Sequence, residues 1–420
     1  MDSLTRSPAD LARQGDARWL ADALQASRAD TLATFVATAA ALTDLRRSVP
    51  QRPQFNPPLW ELGHIGWFQA HWMARQPESE RRRGWDADPD IVREPAPRPN
   101  ADALYDSSHV PHATRWSLML PDADVTCTDL ARQLEQSGAL IAGLPHDDRA
   151  LYFGRLVLLH EDMHHEASLY LAQSLGLPMT DARWQPSALP DLPDSLRFEA
   201  SLWKLGSTDQ GFAFDNEWPA HDVEVDACTI DAQVVRWAEF LPFIEQGGYE
   251  SPRWWSAAGR DWLRRTQASH PLHLRHNPSG AWQRQHFGTW QTLEEALPAC
   301  HLTAFEAEAW CAWAGRRLPT EAEWERAALS RPAAFRWGDI WEWTASIFAP
   351  YPGFVVHPYR DYSAPWFGSR PVLRGASFAT QPRMRHARYR NYFTPERNDI
   401  FAGFRSCASG PPEENREDRP

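Results

Sequence analysis

The sequence predicts two structural parts, a four-helix bundle followed by a mixed α+β domain. The first 175 residues contain long amphipathic segments, which are typical of helices that pack around a shared core. Three prolines within Trp184–Ser195 mark a linker, and the short alternating segments beyond it indicate strands between turns. We therefore expect a helical domain over 1–185, a linker over 186–196, an α+β domain over 197–410 and a disordered tail over 411–420.

Four segments of the first part carry the helical pattern. They are about Asp16–Leu45, about Asn56–Met73 with Pro near its start, about Asp124–Leu144, and a segment from an Asp147-Asp148 cap to about Leu175. Residues 76–114 are rich in Pro, Arg and Asp and predict a long loop, which in a compact domain is usually functional or mobile.

The second part is predicted to alternate between short elements. Ser201–Gly206 and His221–Val225 have the pattern of strands, and Arg236–Gln246 and Thr303–Trp313 have that of short helices.

The composition narrows the class of protein. A net charge of -12 argues against a nucleic-acid or anionic-membrane surface. No apolar run approaches the roughly 20 residues of a membrane span, and the N-terminus lacks a signal-peptide pattern. Five scattered cysteines fit reduced thiols better than a disulfide framework. We expect a cytoplasmic enzyme, monomeric or dimeric, whose partners are small molecules.

The 22 tryptophans indicate either large aromatic cores or an aromatic-walled pocket for a quaternary ammonium ligand.

A histidine pair is the pattern most informative about function. His160 and His164 lie four residues apart in a predicted helix, so both imidazoles occupy one helix face. His64, on the second helix, is the best candidate for a third ligand, and His71, seven residues later on the same face, is its rival. Three neutral histidines leave positions open on an octahedral metal, which indicates catalysis rather than a structural site.

Such a pair also occurs without a metal, as a solvated or core-packed pair. The flanking carboxylates Glu161 and Glu166 favour the metal, because a ligating histidine usually donates its other N–H to a carboxylate. Glu166 is the residue expected in that role. His165 points about 100° away from His164 and is not expected to be a ligand.

An ordered series of segments resembles known families. The second part resembles the formylglycine-generating-enzyme type of domain, an irregular C-type-lectin-like α+β fold. The matching segments are Val234–Ile244, Ala314–Glu325, Gly338–Thr344, Leu373–Ser377 and Ala402–Arg405. The first part resembles a DinB-type helical bundle, whose members bind metal through three histidines. In this order the two parts resemble the iron-dependent sulfoxide synthases of ergothioneine biosynthesis, over about residues 15–408.

This resemblance implies a non-haem Fe(II) site. The family's first metal histidine, in a Trp-Asp-Leu-Ala-His-Ile context, matches His64 rather than His71, and its His-x-x-x-His-x-Glu matches His160, His164 and Glu166. The implied reaction joins a thiol, with O2, to the imidazole C2 of hercynine, the betaine of trimethylated histidine.

The resemblance also implies roles for residues outside the metal set. Arg115 is the nearest match to the arginine that binds the thiol substrate, and Asn391 is expected to orient hercynine. A catalytic tyrosine is expected in the loop after Thr344. Tyr351, Tyr359 and Tyr362 are its candidates, and Tyr359 is preferred.

Departures from the sulfur-using enzymes favour the selenoneine synthase branch, which couples hercynine to a selenosugar. Met163 stands between the last two histidines where Gln is common, and Asn391-Tyr392-Phe393 replaces Asn-Trp-Asp. The long 76–114 segment, including Ala103–Ser108, also resembles that branch. Phe393 cannot pair with the ammonium of γ-glutamylcysteine, and the thioether of Met163 is soft enough to suit selenium. Tyr392 and Phe393 are therefore expected in the substrate site with Met163, Asn391 and Arg115.

The predicted function is Fe(II)- and O2-dependent C–Se bond formation. The main alternative is C–S bond formation with γ-glutamylcysteine or cysteine. A DinB-type thiol transferase would leave the second part without a role, and a ligand-binding module would not explain three histidines. A formylglycine-generating oxidase would need two nearby cysteines close to the C-terminus, where the sequence has Cys407.

Overall fold

A computed structural model describes residues 6–192, 195–208 and 210–410. The helices of the first part are α1 (Pro8–Gln14), α2 (Ala17–Asp44), α3 (Pro58–Trp72), α4 (Glu78–Arg83), α5 (Ala101–Tyr105), α6 (Ala123–Ala142) and α7 (Tyr152–Leu175). The predicted tail at 411–420 and linker residues 193–194 lie outside the described residues.

The long helices form the predicted helical part. Helix α2 packs against α6 and α7, and α3 also packs against both of these helices and contacts α2. The core between them combines aliphatic side chains with large aromatic ones, and Trp60, Phe68 and Phe153 are nearly fully buried. The helical character of the first part is confirmed, whereas its likeness to a DinB bundle stays a prediction.

The boundaries differ from the prediction in three places. Helix α7 begins at Tyr152 rather than at the aspartate pair, because the Asp147 side chain accepts hydrogen bonds from the N–H groups of Arg149 and Ala150 and forms a turn. The segment predicted as a loop contains the short helices α4 and α5. Helix α1 was not predicted, although Ser7 and Asp10 form a capping box at its start.

The second part combines four short helices with small sheets. The helices are α8 (Trp237–Glu245), α9 (Ala257–Thr266), α10 (Ala304–Trp313) and α11 (Glu321–Ser330). The strands are β1 (Ser195–Phe198), β2 (Ser201–Leu205), β3 (His221–Val225), β4 (Cys228–Asp231), β5 (Leu274–His276), β6 (Trp282–His286), β7 (Thr289–Thr292), β8 (Arg316–Arg317), β9 (Trp341–Ile347), β10 (Pro371–Gly375), β11 (Asn391–Tyr392), β12 (Ala402–Gly403) and β13 (Cys407–Ala408). The predicted strands near 201 and 221 and helices near 236 and 303 are confirmed, and α9 and α11 were missed.

The sheets are irregular. Strands pair in the orders β1-β4-β13-β8, β11-β10-β9-β12, β2-β3 and β5-β6-β7. Most pairs are antiparallel, and β12 runs parallel to β9. This arrangement is the mixed α+β fold that the sequence predicted for the second part.

Buried polar contacts join the two parts. Arg383 donates to both carboxylate oxygens of Asp162 on α7 at 2.8 and 2.7 Å. Trp341 Nε1 on β9 donates to Glu166 at 2.8 Å. Because α7 also carries the histidine pair, these contacts fix the second part against the helix that presents the candidate site.

Two further features concern the chain as a whole. The five cysteines all lie among the described residues and are free thiols. Within those residues, no helix combines the length and apolar character needed to cross a membrane.

Candidate metal centre

Helices α3 and α7 bring three histidines together. The ring centroids of His64, His160 and His164 form a triangle with sides of 5.2, 5.0 and 4.5 Å. Each ring offers a nitrogen that lies within 4.8 Å of the other two, and no other described group of potential ligands meets that spacing. The pair on α7 shares a face because four residues make about one helical turn.

Aromatic side chains of α3 support these rings. Trp60, His64 and Phe68 follow at four-residue intervals and so occupy one face of the helix. The His64 ring stacks on Trp60, with centroids 5.0 Å apart. The His160 ring lies parallel to Phe68 at 3.5 Å. The imidazoles are thus held in an apolar environment that limits their rotation.

Hydrogen bonds select the nitrogen that each ring can offer. The Nδ1 of His64 lies 2.8 Å from the carbonyl oxygen of Tyr105, which can only accept, so Nδ1 carries the proton. The Nδ1 of His164 lies 2.7 Å from Oε2 of Glu61. In both rings Nε2 is therefore left as the metal-binding atom, in the arrangement typical of ligating histidines.

A close approach between α3 and α5 makes the first of these bonds possible. A Cβ on Gly63 would lie 2.3 Å from the Tyr105 ring, so only glycine allows this packing. Since Gly63 precedes His64, the Tyr105 backbone comes within reach of the imidazole.

Burial keeps two of the imidazoles neutral. Burial, aided by the charge of neighbouring His164, lowers the pKa of His64 to about 3. The same causes hold the pKa of His160 well below its usual value. Burial alone would raise the pKa of Glu61, but His164 and the Asn56 amide outweigh it and lower that pKa to about 2. Neutral imidazoles beside an ionised carboxylate are suited to a cation.

The donor set fits a transition metal. The Nε2 of His160 is buried without a hydrogen-bond partner, a costly state that a bound cation would relieve. Nitrogens sharing one ion through bonds of about 2.1 Å are at most about 4.2 Å apart, close to the spacing seen here. Imidazole ligands suit iron, zinc, copper and nickel.

The rival histidines lie elsewhere. His71 packs between Trp67 and Trp72, with ring centroids 4.9 Å from each. The Nε2 of His165 lies 3.0 Å from the hydroxyl of Thr34. Neither histidine belongs to the cluster.

The carboxylate that orients His164 differs from the one expected. Glu166 accepts hydrogen bonds from Trp341, Tyr170, Ser377 and Thr380 instead of from a histidine of the cluster. It lies two residues after His164, about 200° around the helix, so it faces the second part of the chain. Glu61 on α3 takes the position expected for Glu166.

Among the three candidate tyrosines, Tyr359 lies nearest the cluster. Its ring contacts Phe68 at 4.9 Å edge-on and lies 6.2 Å from the His160 ring. Burial raises the pKa of its hydroxyl above the usual value. Tyr351 is bound instead to Glu321, at 3.2 Å, in a separate small core.

Met163 faces a pair of tyrosines. The hydroxyl of Tyr389 donates to its sulfur at 3.4 Å, and that of Tyr362 does so at 3.8 Å. The two hydroxyls are 3.1 Å apart. The residue between the two histidines of α7 is therefore held by aromatic residues of the second part.

Arg115 lies beside the metal centre. Its guanidinium carbon is 3.9 Å from the centroid of the Trp60 ring that supports His64. It donates to the Asn56 side chain at 2.9 Å, and Asn56 in turn donates to Glu61 at 2.6 Å. Arg115 thus places a positive charge at the edge of the cluster.

The three residues at 391–393 have separate surroundings. Asn391 accepts from the N–H of Tyr392 at 2.9 Å. The Tyr392 ring stacks on Phe348 at 4.0 Å, and its hydroxyl donates to the carbonyl of Tyr362. The Phe393 ring lies under the guanidinium of Arg397, at 4.7 Å. Tyr392 is thereby tied to the loop that carries Tyr359, whereas the hydrogen bond of Asn391 and the ring contact of Phe393 are made with neighbours other than the histidines.

Sequence reasoning missed Glu61, Tyr105 and Tyr389. The sequence could have indicated Glu61, since it lies three residues before His64 and so near the same helix face. Tyr105 acts through its carbonyl, which any residue could supply, and no local pattern distinguishes Tyr389.

Comparison with known proteins identifies the family. Residues 185–339 and 334–409 match the Sulfatase-modifying factor enzyme 1-like domain. The chain is 33% identical over 410 residues to the hercynine oxygenase of Mycolicibacterium smegmatis, covering 84% of this chain and 91% of that protein. It is 32% identical over 405 residues to that of Mycobacterium tuberculosis, with the same coverage. The formylglycine-generating enzyme of Bos taurus is 29% identical over 169 residues, covering 37% of this chain and 45% of that protein. The chain therefore belongs to the hercynine oxygenase family of the ergothioneine pathway and shares its sulfatase-modifying factor type of domain.

Proposed function

We propose that this chain is an Fe(II)- and O2-dependent enzyme that joins hercynine to a chalcogen donor, with a selenosugar as the preferred donor. The observation that carries this proposal is the largely buried cluster of His64, His160 and His164 in a chain of the hercynine oxygenase family. In two of these rings Nδ1 donates its hydrogen bond to an oxygen, which leaves Nε2 free for a metal.

Iron is the metal we assign to the three imidazoles. Three neutral nitrogen ligands leave coordination positions for O2 and a substrate, as non-haem iron chemistry requires. When bound, Fe(II) would supply the reduction of O2 that this class of reaction needs. Glu61 and the carbonyl of Tyr105 would then hold two of the ligands in their binding orientation.

We assign the proton-holding role to Tyr359. Its hydroxyl is protonated at neutral pH, as a tyrosine with an ordinary pKa near 10 already would be, and burial raises that pKa further, so the group can donate a hydrogen bond or a proton near the reacting atoms. Its ring packs on Phe68, the same side chain that supports His160. Tyr362, the neighbouring candidate, is already hydrogen-bonded to Tyr389.

Hercynine is the partner substrate that the surroundings favour. Its trimethylammonium group can be held by aromatic faces, and the region around Met163 supplies Tyr362 and Tyr389. We place its imidazole next to the cluster with Asn391 as the orienting amide. Arg115, at the edge of the cluster, offers a positive charge to an anionic group of either substrate.

The selenosugar is preferred over a thiol peptide because of Met163 and Phe393. An apolar ring at Phe393 removes the carboxylate that would pair with a charged amino group, and its π face is already covered by Arg397. The Met163 sulfur is soft and polarizable beside the centre. The alternative, C–S bond formation with γ-glutamylcysteine or cysteine, keeps the same metal centre and hercynine site.

One experiment tests both levels of this proposal. The Fe(II)-loaded protein is incubated with hercynine and O2, and with a selenosugar, γ-glutamylcysteine or cysteine, and the products are identified by mass. A hercynine–selenium adduct supports the preferred donor, and a sulfur adduct alone supports the alternative. If no donor yields an adduct, the proposed reaction is wrong.

Calorimetry with histidine in place of hercynine tests whether the betaine is recognised, because equal binding of the two would contradict an aromatic site for the trimethylammonium.

A further inference from the structure

The segment 76–114, called the insertion below, contacts α3 beside the metal centre. Its residue Tyr105 accepts the hydrogen bond from His64, and the carbonyl of Leu104 accepts one from Trp60 Nε1 at 2.8 Å. The side chain of Asp102 accepts from Trp67 Nε1 at 2.6 Å. The insertion therefore lies against the helix face that carries the first histidine.

The same insertion also contacts residues 348–370 of the second part, called the tyrosine loop below. Arg360 donates to both carboxylate oxygens of Asp90, each at 2.9 Å. The hydroxyl of Ser108 donates to the Asp361 carboxylate. Arg360 and Asp361 directly follow Tyr359 in the chain. The two contacts therefore restrain the backbone next to Tyr359.

The residues just before Tyr359 in the tyrosine loop are only partly packed against the rest of the protein. Before it, Val355 and Val356 are 57% and 41% exposed, so they contribute little buried apolar surface. The buried side chain of His357 is fixed to α7 by the hydroxyl of Tyr152, 3.1 Å away. Tyr359 thus lies between a buried anchor at His357 and a second one at Tyr362, which Tyr389 and Tyr392 hold, and the insertion contacts the two residues between Tyr359 and Tyr362.

We propose that Asp90 and Ser108 are positioning residues, which hold Tyr359 against Phe68 and His160 by binding Arg360 and Asp361. The insertion would then couple two parts of the site, since it orients His64 through α5 and places the tyrosine through the loop. The consequence for activity rests on the role of Tyr359 in the proposed function. The consequence for the position of the Tyr359 ring is independent of the proposed function, because it concerns packing alone.

The first test measures the position of Tyr359 directly, on the protein without added metal. Nitration by tetranitromethane modifies tyrosines that solvent reaches, so a partly buried ring packed against Phe68 reacts slowly. The variants are Asp90→Asn, Ser108→Ala and both together, with the modified peptides quantified by mass spectrometry. We expect Tyr359 in the double variant to react about three- to tenfold faster, the size that an exposed ion pair and one hydrogen bond can supply. The reaction of Tyr249, buried in another part of the molecule, should not change.

Two controls separate positioning from general damage. Glu78→Gln removes an exposed ion pair with Arg82 within α4 of the same insertion, and should leave Tyr359 unchanged. The charge exchange Asp90→Arg with Arg360→Asp restores the pair with reversed sign and should return the reaction of Tyr359 towards that of the parent. High salt should mimic Asp90→Asn, because this ion pair is exposed.

Activity gives the second test. With iron bound, the double variant should lose kcat about three- to tenfold while its iron content and its KM for hercynine stay near those of the parent. Unchanged nitration of Tyr359 in the double variant would overturn the positioning role. Faster nitration in a protein that forms no hercynine adduct would leave the positioning role standing and reject the proposed function instead.

Discussion

Glu61 and His164 meet through a 2.7 Å contact between Oε2 and Nδ1, although 103 residues separate them in the chain. The contact crosses from α3 to α7, the two helices that supply the histidine cluster. Helix α3 therefore contributes to the orientation of a ligand on α7, because it carries both His64 and the carboxylate that fixes His164. The geometry of the centre depends on how these helices pack rather than on either helix alone.

Removing the Glu61 carboxylate should weaken metal binding. Glu61→Ala leaves the His164 ring free to rotate and makes it less basic, so we expect a 10- to 100-fold loss of affinity for Fe(II), the usual effect of losing such a partner. Titration with a competing chelator measures it. Glu166→Gln is the matched control, since it alters a buried carboxylate of α7 that does not contact the cluster. A larger loss of affinity in Glu166→Gln than in Glu61→Ala would contradict this assignment.

Single replacements of the histidines should divide into two groups. Alanine at His64, His160 or His164 should abolish stoichiometric iron binding, because two imidazoles alone hold Fe(II) weakly. Alanine at His71 or His165 should leave iron bound, since these rings contact Trp67 and Thr34 instead. Iron analysis after desalting, with circular dichroism to verify folding, makes the comparison. Iron loss in His71→Ala together with retention in His64→Ala would show that the ligand set is wrong.

Much of this centre could be predicted because its signals are local. The four-residue spacing of the α7 pair places both rings on one face, and the context of His64 matched a family pattern. The partner of His164 could not be predicted in the same way, because the side of α3 that meets α7 is fixed only by packing. The expectation that Glu166 accepts a hydrogen bond from a ligating histidine was wrong. The period of the helix explains this, since Glu166 lies two residues after His164 and residues two apart do not share a face.

The fold likewise has elements that local sequence patterns predict and long-range contacts that such patterns do not. Strands at 201–205 and 221–225 follow from alternation, and α10 follows from its period and its Thr303 cap. Helix α11 was missed although Thr320 and Glu323 form a readable capping box. The contacts between the insertion and the tyrosine loop join residues 253 and 270 positions apart, and no local pattern indicates such pairs.

A buried aspartate outside the centre should make stability depend on pH. Burial raises the pKa of Asp215 from 3.8 to about 6, and its side chain accepts a hydrogen bond from Ser363. The folded state therefore binds this proton more tightly than the unfolded state does. Its favourable contribution is fully present below pH 4 and is lost as the pH rises through 6, by about 3 kcal/mol in total.

Asp215→Asn should remove this dependence. Measured by urea unfolding, the stability of the variant relative to the parent should rise by about 3 kcal/mol between pH 4 and pH 7. Asp102→Asn should behave oppositely, because Arg75 lowers the pKa of Asp102 in the folded state, and the stability this carboxylate contributes is lost as the pH falls. A pH-independent difference for Asp215→Asn would show that this carboxyl titrates normally.

The choice of donor should depend on Met163 and Phe393, and exchanging them should shift it. Met163→Gln replaces a soft thioether between the two α7 histidines with a polar amide, and Phe393→Asp restores a carboxylate that can pair with the ammonium of γ-glutamylcysteine. An unpaired ammonium typically costs a few kcal/mol when buried, so supplying its partner should raise use of the sulfur donor by one to two orders of magnitude. Competition between equal selenosugar and γ-glutamylcysteine, with hercynine and O2, gives the product ratio by mass. We expect mainly the selenium adduct from the parent and a shift towards the sulfur adduct in the double variant. Tyr392→Phe serves as control, because it keeps the ring on Phe348 and adds no charge. If the parent already forms mainly the sulfur adduct and the double variant leaves the ratio unchanged, these two residues do not select the donor and the chain makes C–S bonds.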